Sequence, residues 1–168
     1  MSLCQTVFCD FETELANTRK TLERVPNDKW DWKINEKSNT IGWVAGHLAE
    51  IPGWAVSTWT KDELDFNPPG GPGYSPTAVS NCDEVLALFD KNAAAAKEAI
   101  ADIQEADLGK PWSLLSGGEV LFTMPKIAVM RTFVINHIVH HRAILTVYYR
   151  VNGVPVPALY GPSGDETY

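Results

Sequence analysis

The chain has 168 residues, enough to bury one core without disulfide or metal staples, so a single domain spanning 1–168 is expected. Its formal charge is -7 and its Lys and Arg residues are scattered, so no basic patch exists to neutralise phosphates and nucleic acid is excluded as an expected partner. "MSLCQTVFCDFETEL" lacks a basic-then-apolar leader and no window offers about 18 uncharged apolar residues, so no membrane partner and a cytoplasmic location are expected.

Four segments carry the period of an amphipathic helix. The first covers about residues 3–23, with Val7, Phe8, Phe11, Leu15, Thr18 and Leu22 on one stripe, and stops near Pro26. "PNDKWDWKINEKSNT" is a polar, turn-rich connection. A second helix begins near Thr40, with Trp43, Val44, His47, Ile51 and Trp54 on one stripe; Pro52 inside it requires a kink or an early end. "DELDFNPPGGPGYSP" reads as a rigid crossover loop, long enough that the helices it joins need not be antiparallel neighbours. The third helix opens at Asn81 as N-cap, with Glu84 three residues on in the reciprocal capping pattern, and runs to about Gln104. "KPWSLLSGGEVLFTM" is a connection whose Gly pair, between two apolar runs, is compatible with a short hairpin. The fourth helix starts near Pro125 and ends before Gly153. One apolar stripe per helix predicts an all-α chain, a four-helix bundle. Cys4, Cys9 and Cys82 have no CxxC spacing and are read as reduced thiols, mostly small buried hydrophobes.

"NHIVHHR", at 136–142, holds three of the four histidines. On a helix His137 and His141 project within roughly 40° of one another, whereas His140 lies about 100° from His141. The stripe through Ile127, Met130, Val134, Ile144, Leu145 and Tyr148 is centred between His137 and His141, which turns both inward and leaves Arg142 on the opposite arc. His47 stands in the stripe of the second helix and is turned inward as well. Buried imidazoles need hydrogen bonds or a metal, and spacing at i, i+4 offers two ligands to one ion. Each of these histidines taken alone also fits a hydrogen-bonded core residue. Taken together, His47, His137 and His141 can converge on one divalent ion, for which neutral imidazole suits zinc, nickel, copper or iron, and three protein ligands leave a coordination position open.

"KWDWKINEKSNTIGWVAGHLAEI", "NHIVHHRAIL" and the tail "GVPVPALYGPSGDE", together with the helix spacing between them, resemble the DinB-like superfamily, including its YfiT type, over nearly the whole chain. The resemblance implies a bundle in up-down-down-up order with long crossover loops, and a metal between helices two and four held by His47, His137 and His141. It also implies a divalent ion, zinc or nickel, with a low-molecular-weight thiol of the bacillithiol or mycothiol type as co-substrate in S-transfer to small electrophiles, in detoxification or stress response. Hydrolysis by a metal-activated water is the alternative, and a metal-binding protein without turnover is a third reading. The family motif often continues with Gly and Gln after its Arg, where Ala143 and Ile144 stand here.

Several residues flank the expected site. Glu50 falls on an arc beside His47, as a base at the site rim or as a bundle-edge carboxylate. Trp43, Trp54 and Tyr148 are candidates to wall a substrate pocket, or plain core. Arg142 is read as a salt-bridge residue, His140 as a bystander, and no cysteine as a fourth ligand. Gly42, Ala45, Gly46 and Ala49, opposite His47, permit a close contact, either across a homodimer or with a packed loop.

Overall fold

The structure is a computed structural model and describes residues 3–167, with side chains from Phe8 onward, so Cys4 and Val7 lie outside the described side chains. In chain order the elements are α1 (Leu3–Leu22), α2 (Ile41–Thr60), β1 (Glu63–Asp65), α3 (Cys82–Ile100), the single turn α4 (Glu105–Leu108), β2 (Pro111–Ser116), β3 (Glu119–Pro125), α5 (Lys126–Val129) and α6 (Asn136–Val151). Between α5 and α6 the chain stays helical through a wide π-type stretch, Met130–Ile135, in which the Asn136 N–H reaches back five residues to the Arg131 carbonyl. α5, this stretch and α6 therefore form one rod.

The expectation of an all-α chain is corrected by a three-stranded sheet in the order β1-β2-β3, parallel between β1 and β2 and antiparallel between β2 and β3. The Gly pair makes its β2–β3 hairpin. Gly117 (φ 65°) and Gly118 (φ 84°) adopt the left-handed backbone that a two-residue hairpin turn demands and that side chains resist. Asp65, from β1, accepts from both of their amides, at 3.2 and 2.7 Å, and so ties the hairpin tip to the crossover. At the other end of the sheet the buried Lys126 ammonium donates to the Lys61 carbonyl at 2.6 Å and pairs with Asp62 at 3.2 Å.

Contacts along the helices give their directions. Asp10 meets Arg131, and the Thr21 carbonyl accepts from the Tyr149 hydroxyl at 3.0 Å, so α1 and the rod run the same way. Arg19 bonds Asp90, and the Cys82 thiol donates to the Leu22 carbonyl, so α3 runs against α1. Trp54 faces His137 while Trp43 faces His141, so α2 runs against the rod. Phe11, Leu15, Leu22, Ile51, Phe89 and Met130 are among the residues that close the core between them.

Local chemistry sets the helix ends. The Thr40 hydroxyl accepts from the Trp43 amide, and Asn81 accepts from the Glu84 amide at 3.0 Å. The Glu84 carboxylate accepts from the Ser80 amide at 2.7 Å, one residue ahead of the expected partner. α3 ends at Ile100 rather than near Gln104, because the chain turns there into α4. Pro52 does not end α2, which continues to Thr60; in the disturbed turn the Ala49 carbonyl accepts from the Asn92 side-chain amide at 2.9 Å.

Two further expectations change, for the cysteines and for Arg142, and of the two contacts expected at the small-residue face of α2 the packed loop is present. Cys9 is exposed and Cys82 half-buried, so neither is a buried hydrophobe. The face of Gly42 and Gly46 is filled by the chain itself: a Cβ on Gly42 would stand 2.2 Å from the Trp30 indole, and one on Gly46 would touch Val79 at 3.0 Å. Arg142, expected on an outer arc, is 1 % exposed. Its guanidinium bonds the Glu14 carboxylate, the Thr18 hydroxyl at 3.0 Å and the Tyr160 hydroxyl, which brings the tail against α1.

Candidate metal centre

The buried stripe of α6 runs through Ile138, Arg142, Leu145, Tyr148 and Tyr149, which places His137 and His141 at its edge rather than at its centre. Both are half-buried and face α2, where His47 is also half-buried. The wide turn of the rod lies directly before His137, a position at which such turns often accompany functional sites.

The three side chains meet through their Nε2 atoms. His137 Nε2 lies 2.9 Å from His141 Nε2 and 3.4 Å from His47 Nε2, and one ligand atom from each of the three lies within 4.8 Å of the others. Nitrogens held at 2.0–2.1 Å around a tetrahedral zinc stand about 3.3 Å apart. The residues present therefore fit a divalent ion in spacing and in donor type. His140 is exposed, its ring edge-on to that of His141 at 4.9 Å, and stays outside the cluster.

Electrostatics favour the ligand form of these rings. Burial pushes the His141 pKa down to about 3, with His47, His137 and His140 adding repulsion. Burial likewise brings His47 to about 4, with repulsion from His137, against a small opposing pull from Glu50. His137 is lowered by burial, against a backbone interaction with Phe133 that favours its protonated form, with His140 adding repulsion. All three are therefore neutral near pH 7, as metal ligation requires. Among the described residues, the buried Nδ1 atoms of His137 and His141 make no hydrogen bond within the protein.

Trp43 stacks on His47 at 4.8 Å and meets the edge of His141, while Trp54 packs against both His47 and His137. The two indoles thus bracket the cluster. Trp43 is 42 % exposed and Trp54 half-buried, so the stripe read as core from the sequence is in part the open face of α2. Glu50 is buried and both its oxygens are engaged: Oε2 accepts from the Tyr74 hydroxyl at 2.7 Å and Oε1 from the Thr77 amide at 2.5 Å. Tyr148 packs edge-on against Trp32 at 5.3 Å, away from the three histidines.

Two cavities open on the cluster. One, of about 310 Å³, reaches His137 and Trp54 and is walled by Phe133 of the rod and by Trp112, Leu114 and Phe122 of the hairpin. The other, of about 290 Å³, lies against Trp43, His47 and Glu50 beneath Pro76 and Thr77 of the crossover. Tyr148 lines neither. The hairpin and crossover residues were not singled out from the sequence; the signal for Trp112 and Leu114 is their two-residue spacing, which puts both on one face of a strand.

Comparison with known proteins follows the same lines. The family profile described as DinB superfamily matches residues 10–145. The crystal structure of a DinB-like protein from Bacillus cereus ATCC 10987 superposes with a TM-score of 0.69 at 22% identity, over 93% of this chain and 97% of that one. The DinB-like protein YjoA from Bacillus subtilis gives 0.68 at 16% identity, over 90% and 96%. No curated protein matches the sequence. Among the described residues, no helix is long and apolar enough to cross a membrane.

Proposed function

This chain belongs to the DinB superfamily, and from that membership together with the convergence of three neutral imidazoles we propose that it binds a divalent ion, zinc or nickel, through His47, His137 and His141 and acts as a thiol S-transferase on small electrophiles. The observation that carries the reading is the spacing of the three Nε2 atoms between two separate cavities, one on the His47 side and one on the His137 side.

An ion held by these three residues supplies Lewis acidity, which brings the pKa of a thiol towards neutrality. The reaction class is S-transfer: the thiol sulfur bonds to an electrophilic carbon, that carbon's bond to its leaving group breaks, and the thiol proton passes to solvent. The chain's own part is positional. Trp43 and Trp54 hold the His47 ring between them, and the Glu50 clasp keeps the crossover over the His47 cavity.

The test is turnover of 1-chloro-2,4-dinitrobenzene by zinc- or nickel-loaded protein with bacillithiol, with glutathione and with no thiol. Product is expected only with a thiol present, and turnover of equal rate without one overturns the assignment.

A further inference from the structure

We propose that the cavity between α2, the sheet and the rod binds an uncharged aromatic group of about two fused rings, with the β2–β3 hairpin as its roof and any polar, reacting end directed to His137. The proposal deepens the S-transfer reading and rests on it for the reacting end alone.

The cavity walls offer planar and apolar surface from three directions. Phe122 and Phe133 lie stacked at 5.0 Å with their planes 7° apart, and Trp112 stands beside Phe122 at 6.4 Å. Trp54, Phe66 and Leu114 add to the lining. Apart from His137 at one end, whose Nδ1 has no partner within the protein, four polar groups at the wall, those of Ser57, Thr58, Tyr74 and Trp112, already have internal partners. The hydroxyls of Ser57 and Thr58 donate to the Trp54 carbonyl at 3.0 and 2.9 Å. The Tyr74 hydroxyl donates to Glu50, and the Trp112 indole N–H donates to the Ser57 carbonyl at 3.2 Å. A charged guest would lose its hydration there with nothing in return, whereas an apolar one loses none that it needs.

The roof is braced from outside the cavity, which explains why the space does not collapse. Asp65 fixes the hairpin tip through the Gly117 and Gly118 amides, and Lys126 fixes the far end through Lys61 and Asp62. A void held open by such a frame is apolar and takes up apolar guests. At about 310 Å³ it stands at the lower end of small-molecule sites, which favours about two rings over a larger skeleton.

The test uses the full chain stripped of metal by chelation, so that loss of apolar binding and loss of metal binding are separate results. 6-Propionyl-2-(dimethylamino)naphthalene, an uncharged fluorophore with two fused rings, is expected to bind saturably with enhanced emission, and 2-methylnaphthalene to displace it at least tenfold more effectively than 2-naphthoate. Ser57→Phe, which fills the space, and Leu114→Glu, which puts a charge into the roof, are each expected to weaken probe binding at least tenfold while the far-ultraviolet circular dichroism stays helical. Equal displacement by naphthoate, absence of saturable binding, or unchanged affinity in a folded Ser57→Phe protein overturns the proposal. The displacement series needs no variant and decides the matter if either substitution prevents folding.

Discussion

Tyr74 donates its phenolic hydroxyl to Glu50 at 2.7 Å, which fastens the middle of the crossover loop to α2 one turn beyond His47. Because Glu50 also takes the Thr77 amide, one buried carboxylate organises the wall between the two cavities. Burial, followed by the Glu50 interaction, pushes the Tyr74 pKa up, so the phenol stays protonated and keeps donating.

Glu50→Gln retains one acceptor oxygen for two donors and is expected to cost about 1–3 kcal/mol, the range for leaving a buried donor without its partner. Urea unfolding measures the loss, and amide hydrogen exchange at Thr77 should quicken. An unchanged exchange rate at Thr77 in the variant would show that the clasp does not hold the loop.

Metal content should separate the four histidines. His47→Ala, His137→Ala and His141→Ala are each expected to lose most bound zinc or nickel after loading and desalting, while His140→Ala retains about one ion per chain. Elemental analysis of the purified proteins gives the answer, and retention of a full equivalent in both His47→Ala and His137→Ala would remove the centre.

The histidines also predict an acid limb in the stability of metal-free protein. Their folded pKa values, about 4 for His47 and about 3 for His141, lie below the ordinary value of 6.5, so the unfolded chain takes up protons first as pH falls. Their contribution is complete above about pH 6.5 and is lost progressively down to pH 3–4. The melting temperature of the wild type should therefore fall more steeply than that of His47→Gln/His141→Gln between pH 6.5 and 4. Parallel curves for the two proteins would contradict the assigned burial.

How far the sequence reached depends on whether a feature is local. Helix starts at Thr40 and Asn81 are written in the residues that cap them, and the pairing of His137 with His141 follows from helical spacing alone. The sheet was half legible: the Gly pair signals a hairpin, but the parallel pairing of Glu63–Asp65 with β2 joins segments far apart in the chain. The buried face of α6 was misjudged because Arg142 counts as polar in any periodic pattern, while Glu14 and Thr18, on another helix, make it a core residue. Glu50 was ambiguous for the same reason, since its partners come from a Pro/Gly-rich loop with no period to read.

Gly42 offers a test of close packing rather than of chemistry. A methyl group at that position would enter the Trp30 indole at 2.2 Å, and the helix start cannot retreat easily, because the Gly42 amide donates to the Trp30 carbonyl and the Ile41 amide to the Trp32 carbonyl. Gly42→Ala is expected to destabilise by about 1–3 kcal/mol, as overpacking does, although alanine is the better helix former. A melting temperature at or above the wild type would show that Trp30 moves aside freely.

Arg142 separates a structural role from a role in the site. It follows His141 directly, but its guanidinium points away to Glu14 and Thr18, and it lines neither cavity. Removing one partner of a buried ion pair leaves the other charge without compensation, a loss of about 3–5 kcal/mol. Arg142→Met and Glu14→Gln should each unfold at markedly lower urea concentration, with the double variant recovering part of the loss because neither charge then remains buried alone. Lysine should not rescue position 142, because a single ammonium cannot reproduce the fork that meets Glu14, Thr18 and Tyr160 together. Folded Arg142→Lys should nonetheless keep its metal, since the three Nε2 atoms do not depend on the guanidinium for contact. Loss of metal at unchanged stability in that variant would move Arg142 from the frame of the bundle to the site itself.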